Sequence, residues 1–112
     1  MDIAKQFEQL YRQKPTHRTF CPYRVCPLGA HVDHQHGLVT GFALDRGVEM
    51  LYVPTEDGTV TVHSMNYPGG VHFELQNKIL EREYTWSDFV KGAVYALRRE
   101  FPLKRGFIGL VN

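Results

Sequence analysis

One segment of the chain, residues 20–37 (FCPYRVCPLGAHVDHQHG), contains both cysteines and three of the six histidines. It combines a guanidinium, a carboxylate and several imidazoles within eighteen residues. Its two prolines and two glycines exclude a regular helix, so these groups are expected on an irregular loop between apolar strands. Loops held between strands are a common position for binding groups.

Three interpretations of this loop are open. It could be a solvated surface loop, since short motifs often match by chance. It could be a metal site built from His31, Asp33, His34 and His36, although zinc sites usually draw their ligands from separated parts of a chain, and the sequence has neither a distant cysteine pair nor an HExxH helix. It could also bind an anionic or polyhydroxyl ligand, with Arg24 facing a transferred charge while Asp33 and His31 hydrogen-bond the substrate.

Residues 24–34 (RVCPLGAHVDH) resemble the first signature of the galactokinases in the GHMP kinase superfamily, GRxNLIGEHTDY. Arg24, Gly29, His31 and Asp33 stand at matching spacings. The later strands and helix also follow in the order of that family's N-terminal part, so the resemblance extends over nearly the whole chain. It implies that residues 1–112 are the N-terminal sugar-binding part of a GHMP kinase domain, truncated before the family's phosphate-binding loop.

The resemblance also implies a reaction and the residues for it. Members of this family transfer the terminal phosphoryl group of ATP, with Mg²⁺, to the anomeric hydroxyl of a hexose. Arg24 would be catalytic and would stabilise the transferred charge. Ser64 and Asn66, in a turn that lies near the nucleotide in the family, would be weaker candidates for ATP binding. The substrate-binding positions would be Ala30, His31, Val32, Asp33 and His34.

This sequence differs from the signature at informative positions. It has Ala30 for the family's Glu, and also Cys26 for Asn, Pro27 for Leu and His34 for Tyr. The missing Glu would weaken binding of galactose and would remove repulsion of a sugar with a C6 carboxylate. The sequence of the segment is also similar to that of the galacturonate kinases, so we expect galacturonic acid rather than galactose as substrate. The alternative is a galactokinase-like sensor that binds sugar without transferring phosphate.

Composition sets further limits on the function. The 112 residues include 13 basic and 12 acidic side chains, a net charge of +1 that does not favour nucleic acid as a partner. Cys21 and Cys26 are five residues apart on either side of a short strand, which favours reduced thiols. No apolar run approaches the length of a signal core or a membrane span. We expect a cytoplasmic protein whose partners are a sugar and ATP, with no membrane or nucleic-acid partner.

The resemblance to the family's N-terminal half implies an α/β (α+β two-layer) fold, with a mixed sheet of about five strands packed on two helices. The first helix follows Asp2 and ends before Pro15. The second begins with a capping box at Thr85 and Asp88 and runs to Phe101. The predicted strands are Thr19–Val25, Leu38–Leu44, Val48–Val53, Thr59–His63, Val71–Leu75 and Phe107–Val111.

Five finer expectations accompany these elements. The Asp57-Gly58 pair predicts a hairpin between the strands on either side of it. Alternation makes His63 an outward-facing strand residue. Gly92 within the second helix suggests close packing against a neighbour, and Trp86 is expected to be an anchor of the core or, by resemblance, a contact near adenine. The last strand, 107–111, is expected to leave apolar surface uncovered through which the chain could dimerise.

Overall fold

The computed structural model describes residues 2–77 and 81–112. It contains two α-helices, five β-strands and one short 3₁₀ helix, and hydrogen bonds join the strands in the order β1-β2-β5-β3-β4. The strands are parallel between β3 and β5 and antiparallel between β2 and β5 and between β3 and β4. The predicted class, a mixed sheet of five strands with two helices, is therefore confirmed. The elements are α1 Ile3–Tyr11, β1 His17–Val25, the 3₁₀ helix Asp33–Gln35, β2 Phe42–Pro54, β3 Thr59–Ser64, β4 Gly70–Glu74, α2 Ser87–Glu100 and β5 Phe107–Val111.

The chain divides into two compact units. The first unit comprises Met1–Arg18 and Met50–Asn112, and the second unit comprises Thr19–Glu49. Strands β1 and β2 each begin in one unit and end in the other. Within the described ranges 2–77 and 81–112, no helix is long and apolar enough to cross a membrane.

Helix α1 begins where the sequence predicts. The Asp2 carboxylate accepts a hydrogen bond from the amide of Ala4 at 2.9 Å, which satisfies one of the unpaired donors of the first turn. The helix ends at Arg12, whose backbone is left-handed with φ 55° and whose amide donates to the carbonyl of Glu8. It therefore stops three residues before Pro15, so a left-handed cap and not the proline terminates it.

Strand β5 lies in the interior of the sheet, which corrects two expectations. It pairs antiparallel with Met50–Pro54 of β2 on one side and parallel with Val60–Ser64 of β3 on the other. Strands β2 and β3 are thus separated by β5 and do not form the predicted hairpin. Gly109 and Leu110 are buried, so the expected uncovered edge at Phe107–Val111 is wrong, and with it the surface proposed for a dimer.

The turn between β2 and β3 is adapted to admit β5. Residue Thr55 donates its amide to the carbonyl of Gly106 at 2.9 Å, and Gly106 donates its amide to the carbonyl of Asp57 at 2.7 Å. A Cβ atom on Gly106 would collide with the backbone of Thr59. The absence of a side chain at this position therefore allows β5 to enter between two strands that are consecutive in sequence.

Both faces of the sheet in the first unit are covered by a helix. Alternate residues of β5 point to opposite faces, so Ile108 and Leu110 join one cluster while Phe107 and Val111 join the other. The α1 side contains the buried residues Ile3, Phe7, Leu51 and Leu110. The α2 side contains the buried residues Val60, Val62, Val71, Phe73, Leu75 and Val94.

His63 packs under α1, so the prediction that it faces outward is wrong. The hydroxyl of Tyr11 donates to the carbonyl of Gly109 at 2.7 Å and lies 2.8 Å from Nδ1 of His63. Since the Tyr11 proton is used on the carbonyl, the imidazole Nδ1–H is the donor to the phenol oxygen. Burial of this hydroxyl raises the pKa of Tyr11 to about 12, so it stays protonated.

Helix α2 begins without the predicted capping box, and its N-cap residue Trp86 makes no side-chain cap hydrogen bond. The Asp88 carboxylate accepts the amides of Glu83 and Tyr84, each at 2.9 Å, and these bonds lower the pKa of Asp88. The hydroxyl of Thr85 pairs with that of Ser87 at 2.7 Å and caps no amide. A Cβ on Gly92 would meet no atom within 4 Å, so the expected close packing at this glycine is wrong.

The second unit is a two-stranded ribbon with a long connecting loop. Strand β2 continues through Asp45-Arg46-Gly47, where the sequence predicts a turn, and Leu38–Gly41 is irregular where the sequence predicts a buried strand. Leu38 is 95% exposed. A Cβ on Gly47 would lie 2.6 Å from the Cα of Pro22, so this glycine permits close approach of β1 and does not mark a turn.

The α1 cluster provides a test of the fold. Phe7 is fully buried, and its ring lies 4.8 Å from that of Tyr11. We expect Phe7→Ala to lower the free energy of unfolding by about 3–5 kcal/mol, because it leaves a cavity between α1 and the sheet. Leu10→Ala on the same helix is the control, since Leu10 is 47% exposed and should cost less than about 1 kcal/mol. Equal losses in urea unfolding for the two variants would contradict the burial of Phe7.

Candidate functional site

The predicted site loop belongs entirely to the second unit. Arg24 lies next to the end of β1, and Asp33 and His34 lie on the 3₁₀ helix Asp33–Gln35. The irregular stretch between them follows from its sequence, because Pro27 donates no backbone hydrogen bond and Gly29 has φ +92°, a left-handed conformation that disfavours other residues.

The loop is closed by hydrogen bonds of its own backbone. Val32 donates its amide to the carbonyl of Gly29 at 3.3 Å and accepts the amide of Gly37 at 2.9 Å. A Cβ on Gly37 would lie 2.6 Å from a methyl group of Val32, so Gly37 allows the two ends of the turn to meet. His36 takes a left-handed conformation, φ 60°, and donates its amide to the carbonyl of Asp33 at 3.2 Å. These bonds hold residues 29–37 in a compact shape.

The predicted catalytic and substrate-binding side chains are all accessible to solvent. Arg24 is exposed near the end of its strand, and among the ion pairs of the described residues none joins it to Asp33. The carboxylate of Asp33 lies 3.7 Å from Nδ1 of His34, an exposed pair in which water screens the attraction. All five predicted substrate-binding positions are exposed: Ala30, His31, Val32, Asp33 and His34.

In the described part of the chain, the side chains of this loop are not grouped as a set of metal ligands. Within residues 2–77 and 81–112, no three His, Cys, Asp or Glu side chains are grouped so that they could hold a metal ion. The two cysteines are free thiols, Cys21 exposed and Cys26 partly buried. The thiol of Cys26 lies 3.3 Å from the carbonyl of Leu28, so it contacts the loop backbone.

Ser64 and Asn66, the candidates for nucleotide binding, lie in the first unit, where Ser64 is the last residue of β3 and Asn66 follows two residues later. The hydroxyl of Ser64 accepts the amides of Asn66 and Tyr67 at 3.1 and 3.3 Å, as in an ordinary serine turn. The side-chain amide of Asn66 donates to the side chain of Asn112 at 3.2 Å, beside the end of β5. These contacts fix the turn, and they place the end of β5 beside both candidate residues.

Sequence reasoning missed an aromatic cavity in the first unit. The cavity has a volume of about 880 Å³ and lies at the N-terminal end of α2. Trp86, predicted as a core anchor, is partly buried, and its indole N–H donates to the carbonyl of Pro68 at 3.1 Å. The sequence signal was a cluster of aromatic residues around the helix start. The cavity is lined by Glu81, Arg82, Tyr84, Thr85, Trp86, Asp88, Phe89, Lys91, Gly92 and Tyr95.

The charges near this cavity are paired with one another. Lys91 donates to a carboxylate oxygen of Glu83 at 3.2 Å, and Ser87 donates to the same oxygen at 3.0 Å. The hydrogen bond from Ser87 is the main reason that the pKa of Glu83 is lowered, with Lys91 as the next cause. Glu83 is therefore ionised at neutral pH and partly offsets the positive charge of Lys91.

The fold defines the class of this protein. It superposes on the crystal structure of Lactococcus lactis galactokinase complexed with galactose with a TM-score of 0.83 and 26% sequence identity, and the match covers 96% of this chain and 29% of that one. The architecture is therefore that of part of a sugar kinase.

Relatives in sequence point to the same class. The chain is 35% identical over 108 residues to a galacturonokinase from Arabidopsis thaliana, a match that covers 81% of this chain and 26% of that protein. It is 30% identical to the galactokinase of Fusobacterium nucleatum, over 95% of this chain, and 31% identical to that of Staphylococcus saprophyticus, over 99% of this chain. No family model matches the chain.

The chain spans 26 to 30% of the length of these three relatives. In sequence and in fold it is a homologue of part of the galactokinase-like sugar kinases, a group that includes the galacturonokinase, and the resemblance noted in the signature is confirmed.

Proposed function

We propose that this chain is the N-terminal, sugar-binding part of an ATP-dependent kinase that phosphorylates the anomeric hydroxyl of galacturonic acid in preference to galactose. The observation that supports the proposal most strongly is homology to a galacturonokinase over 81% of the chain, combined with Ala30 in place of the Glu of the galactokinase signature. We infer the reaction and the class of sugar from the relatives, and we infer the preference for galacturonic acid over galactose from Ala30.

In this proposal Arg24 and Asp33 act on opposite ends of the acceptor. The guanidinium of Arg24 stabilises the negative charge that spreads over the transferred phosphoryl group and helps to orient the attacking hydroxyl. The carboxylate of Asp33 and the imidazole of His31 hydrogen-bond the hydroxyls of the sugar ring. Because phosphoryl transfer depends largely on positioning, a rigid loop contributes to the rate as well as to binding.

Selectivity depends on the position between Gly29 and His31. A Glu side chain there would stand close to the C6 carboxylate of a uronate, and two like charges about 4 Å apart repel by roughly 1 kcal/mol in water and by about 4 kcal/mol at an effective dielectric constant near 20. Ala30 removes that repulsion. His34 and Val32 flank Asp33 on the same turn, and we assign His34 as a donor to the sugar carboxylate.

The nucleotide belongs to the first unit in this proposal. The turn of Ser64 and Asn66 and the aromatic cavity beside Trp86 provide hydroxyl, amide and ring surfaces suited to a purine nucleoside. Bound Mg²⁺ supplies charge neutralisation of the phosphates, but residues 2–77 and 81–112 contain no grouped ligands for it. We assign the metal and the phosphate-binding loop to the part of such a kinase that this chain, at 26 to 30% of the length of its relatives, does not span.

The proposal includes a cytoplasmic location, where ATP is available, and a small-molecule sugar as partner. Supporting observations are a net charge of +1 and two free cysteines. Nucleic acid and membrane surfaces are not partners in this proposal.

The decisive experiment measures ADP release by the full-length protein that contains this chain, with galacturonic acid, galactose and glucuronic acid as acceptors. We expect kcat/KM for galacturonate to exceed that for galactose by at least about tenfold, with glucuronate as the control for C4 stereochemistry. A preference for galactose would refute the uronate assignment. Galacturonate binding by calorimetry without ADP release would replace the kinase with a sensor.

A further inference from the structure

Leu28 is held by an unusual set of contacts at the entrance to the site loop. Its amide donates to the hydroxyl of Thr40 at 3.1 Å, and its carbonyl accepts both the amide of Thr40 at 2.9 Å and the hydroxyl of Thr40 at 3.3 Å. The thiol of Cys26 is a third donor to that carbonyl, at 3.3 Å. One threonine twelve residues away therefore satisfies both backbone polar groups of Leu28.

This contact stands directly before the residues of the proposed sugar site. Leu28 is followed by the left-handed Gly29, whose carbonyl accepts the amide of Val32 at 3.3 Å. Val32 in turn begins the helical turn that bears Asp33. A shift of Leu28 is therefore transmitted through Gly29 and Val32 to the carboxylate of Asp33.

The hydrogen bonds between Thr40 and Leu28 lie in a part of the molecule that has little other stabilisation. In the second unit every residue is exposed or only partly buried, and Leu28 itself is 70% exposed. Apolar packing therefore contributes little to holding the loop, and a two-stranded ribbon is marginally stable by itself. Hydrogen bonds of the amide and the side chain of Thr40 join the start of the loop to the irregular segment that precedes β2.

We propose that Thr40 is a positioning residue of the sugar site. Its hydroxyl forms hydrogen bonds with both backbone polar groups of Leu28, and we call this set of bonds the clamp. The clamp holds the turn of His31 and Asp33 in position for the acceptor sugar. The inference rests on the proposed function for the identity of the ligand, whereas the clamp itself rests only on the contacts of Thr40. Thr40 touches no reacting atom, and its effect is expected on sugar binding more than on turnover.

The first test measures the clamp without any substrate. In the full-length protein, Thr40→Val keeps the shape of the side chain and removes the hydroxyl, while Thr40→Ser keeps the hydroxyl. We expect amide hydrogen exchange at Leu28 to be roughly three- to tenfold faster in Thr40→Val and near the wild-type rate in Thr40→Ser. The matched control is Thr55→Val, because the Thr55 hydroxyl donates to the carbonyl of Asp57 at 3.2 Å in a turn of the first unit.

The second test measures the consequence for the reaction. We expect KM for galacturonate to rise roughly three- to tenfold in Thr40→Val, with KM for ATP and the urea midpoint unchanged, and with Thr40→Ser and Thr55→Val close to wild type. Unchanged exchange at Leu28 would overturn the clamp whatever the reaction is. Faster exchange with an unchanged sugar KM would overturn the positioning role. A wild-type protein that phosphorylates no sugar would refute the proposed function, and the exchange rates would then decide the clamp alone.

Discussion

Replacing Asp33 with alanine is expected to lower kcat/KM for the sugar by roughly a hundred- to a thousandfold. In the proposed site the carboxylate accepts hydrogen bonds from sugar hydroxyls, and each bond to a charged acceptor contributes about 1.5–3 kcal/mol. Two such bonds near the lower end of this range, about 3–4 kcal/mol together, account for the predicted loss, since about 1.4 kcal/mol corresponds to a factor of ten. Steady-state kinetics of the full-length protein with galacturonate would measure it.

The structure indicates that this substitution leaves the loop intact. Asp33 supports the turn through its backbone carbonyl, which accepts the amide of His36, and this carbonyl is present in alanine as well. Its side chain is exposed and paired at 3.7 Å with His34. Asp45→Ala, which removes an exposed carboxylate from β2 in the same unit, is the matched control and should retain activity. Equal activity losses in the two variants would contradict a specific role for Asp33.

Local signals in the sequence were sufficient to predict most elements. The cap of α1 depends on residues within one turn, and Asp2 caps the helix as predicted. The strand Phe107–Val111 is predicted with its observed bounds. Segments whose structure is decided by near neighbours are those that a single sequence specifies best.

The order of strands could not be predicted in the same way. The pairing of β5 with both β2 and β3 joins residues about fifty apart in sequence, and the Asp57-Gly58 signal alone favours a direct hairpin. Close packing decides the outcome, because Gly106 has no side chain that would prevent entry of β5. The same reason explains Gly47, which looked like a turn residue and is a point of close approach between strands.

The candidate site was predictable in composition but not in its support. Pro27 and Gly29 indicate an irregular loop, and the signature identifies the exposed polar residues within it. The clamp joins Thr40 to Leu28, twelve residues away, and no periodicity or spacing in the sequence predicts this contact. Side-chain hydrogen bonds of this kind depend on the path of the backbone, which the composition of the loop does not specify.

Replacing Ala30 with glutamate is expected to reverse the sugar preference. The new carboxylate would accept a hydrogen bond from the C6 hydroxyl of galactose and would repel the C6 carboxylate of galacturonate. At separations near 4 Å the repulsion alone is about 1–4 kcal/mol, so selectivity should shift by roughly ten- to a thousandfold toward galactose. The ratio of the two kcat/KM values measures the shift without depending on enzyme concentration.

The environment of Ala30 allows this substitution without a change in core packing. Ala30 is exposed and lies in the turn after Gly29, so a longer side chain meets solvent and displaces no core residue. Ala30→Gln is the isosteric control, because it offers a hydrogen-bond acceptor of the same size without the charge. We expect Ala30→Gln to gain activity on galactose and to lose much less on galacturonate than Ala30→Glu.

The salt dependence of the shift separates charge from shape. Repulsion between two exposed carboxylates is screened over about 10 Å at 0.1 M salt and over about 3 Å at 1 M salt. The penalty of Ala30→Glu on galacturonate should therefore shrink as salt is raised, while the effect of Ala30→Gln should stay constant. A penalty that is equal in both variants and independent of salt would show that position 30 acts through the size of its side chain, and the electrostatic account of sugar choice would be wrong.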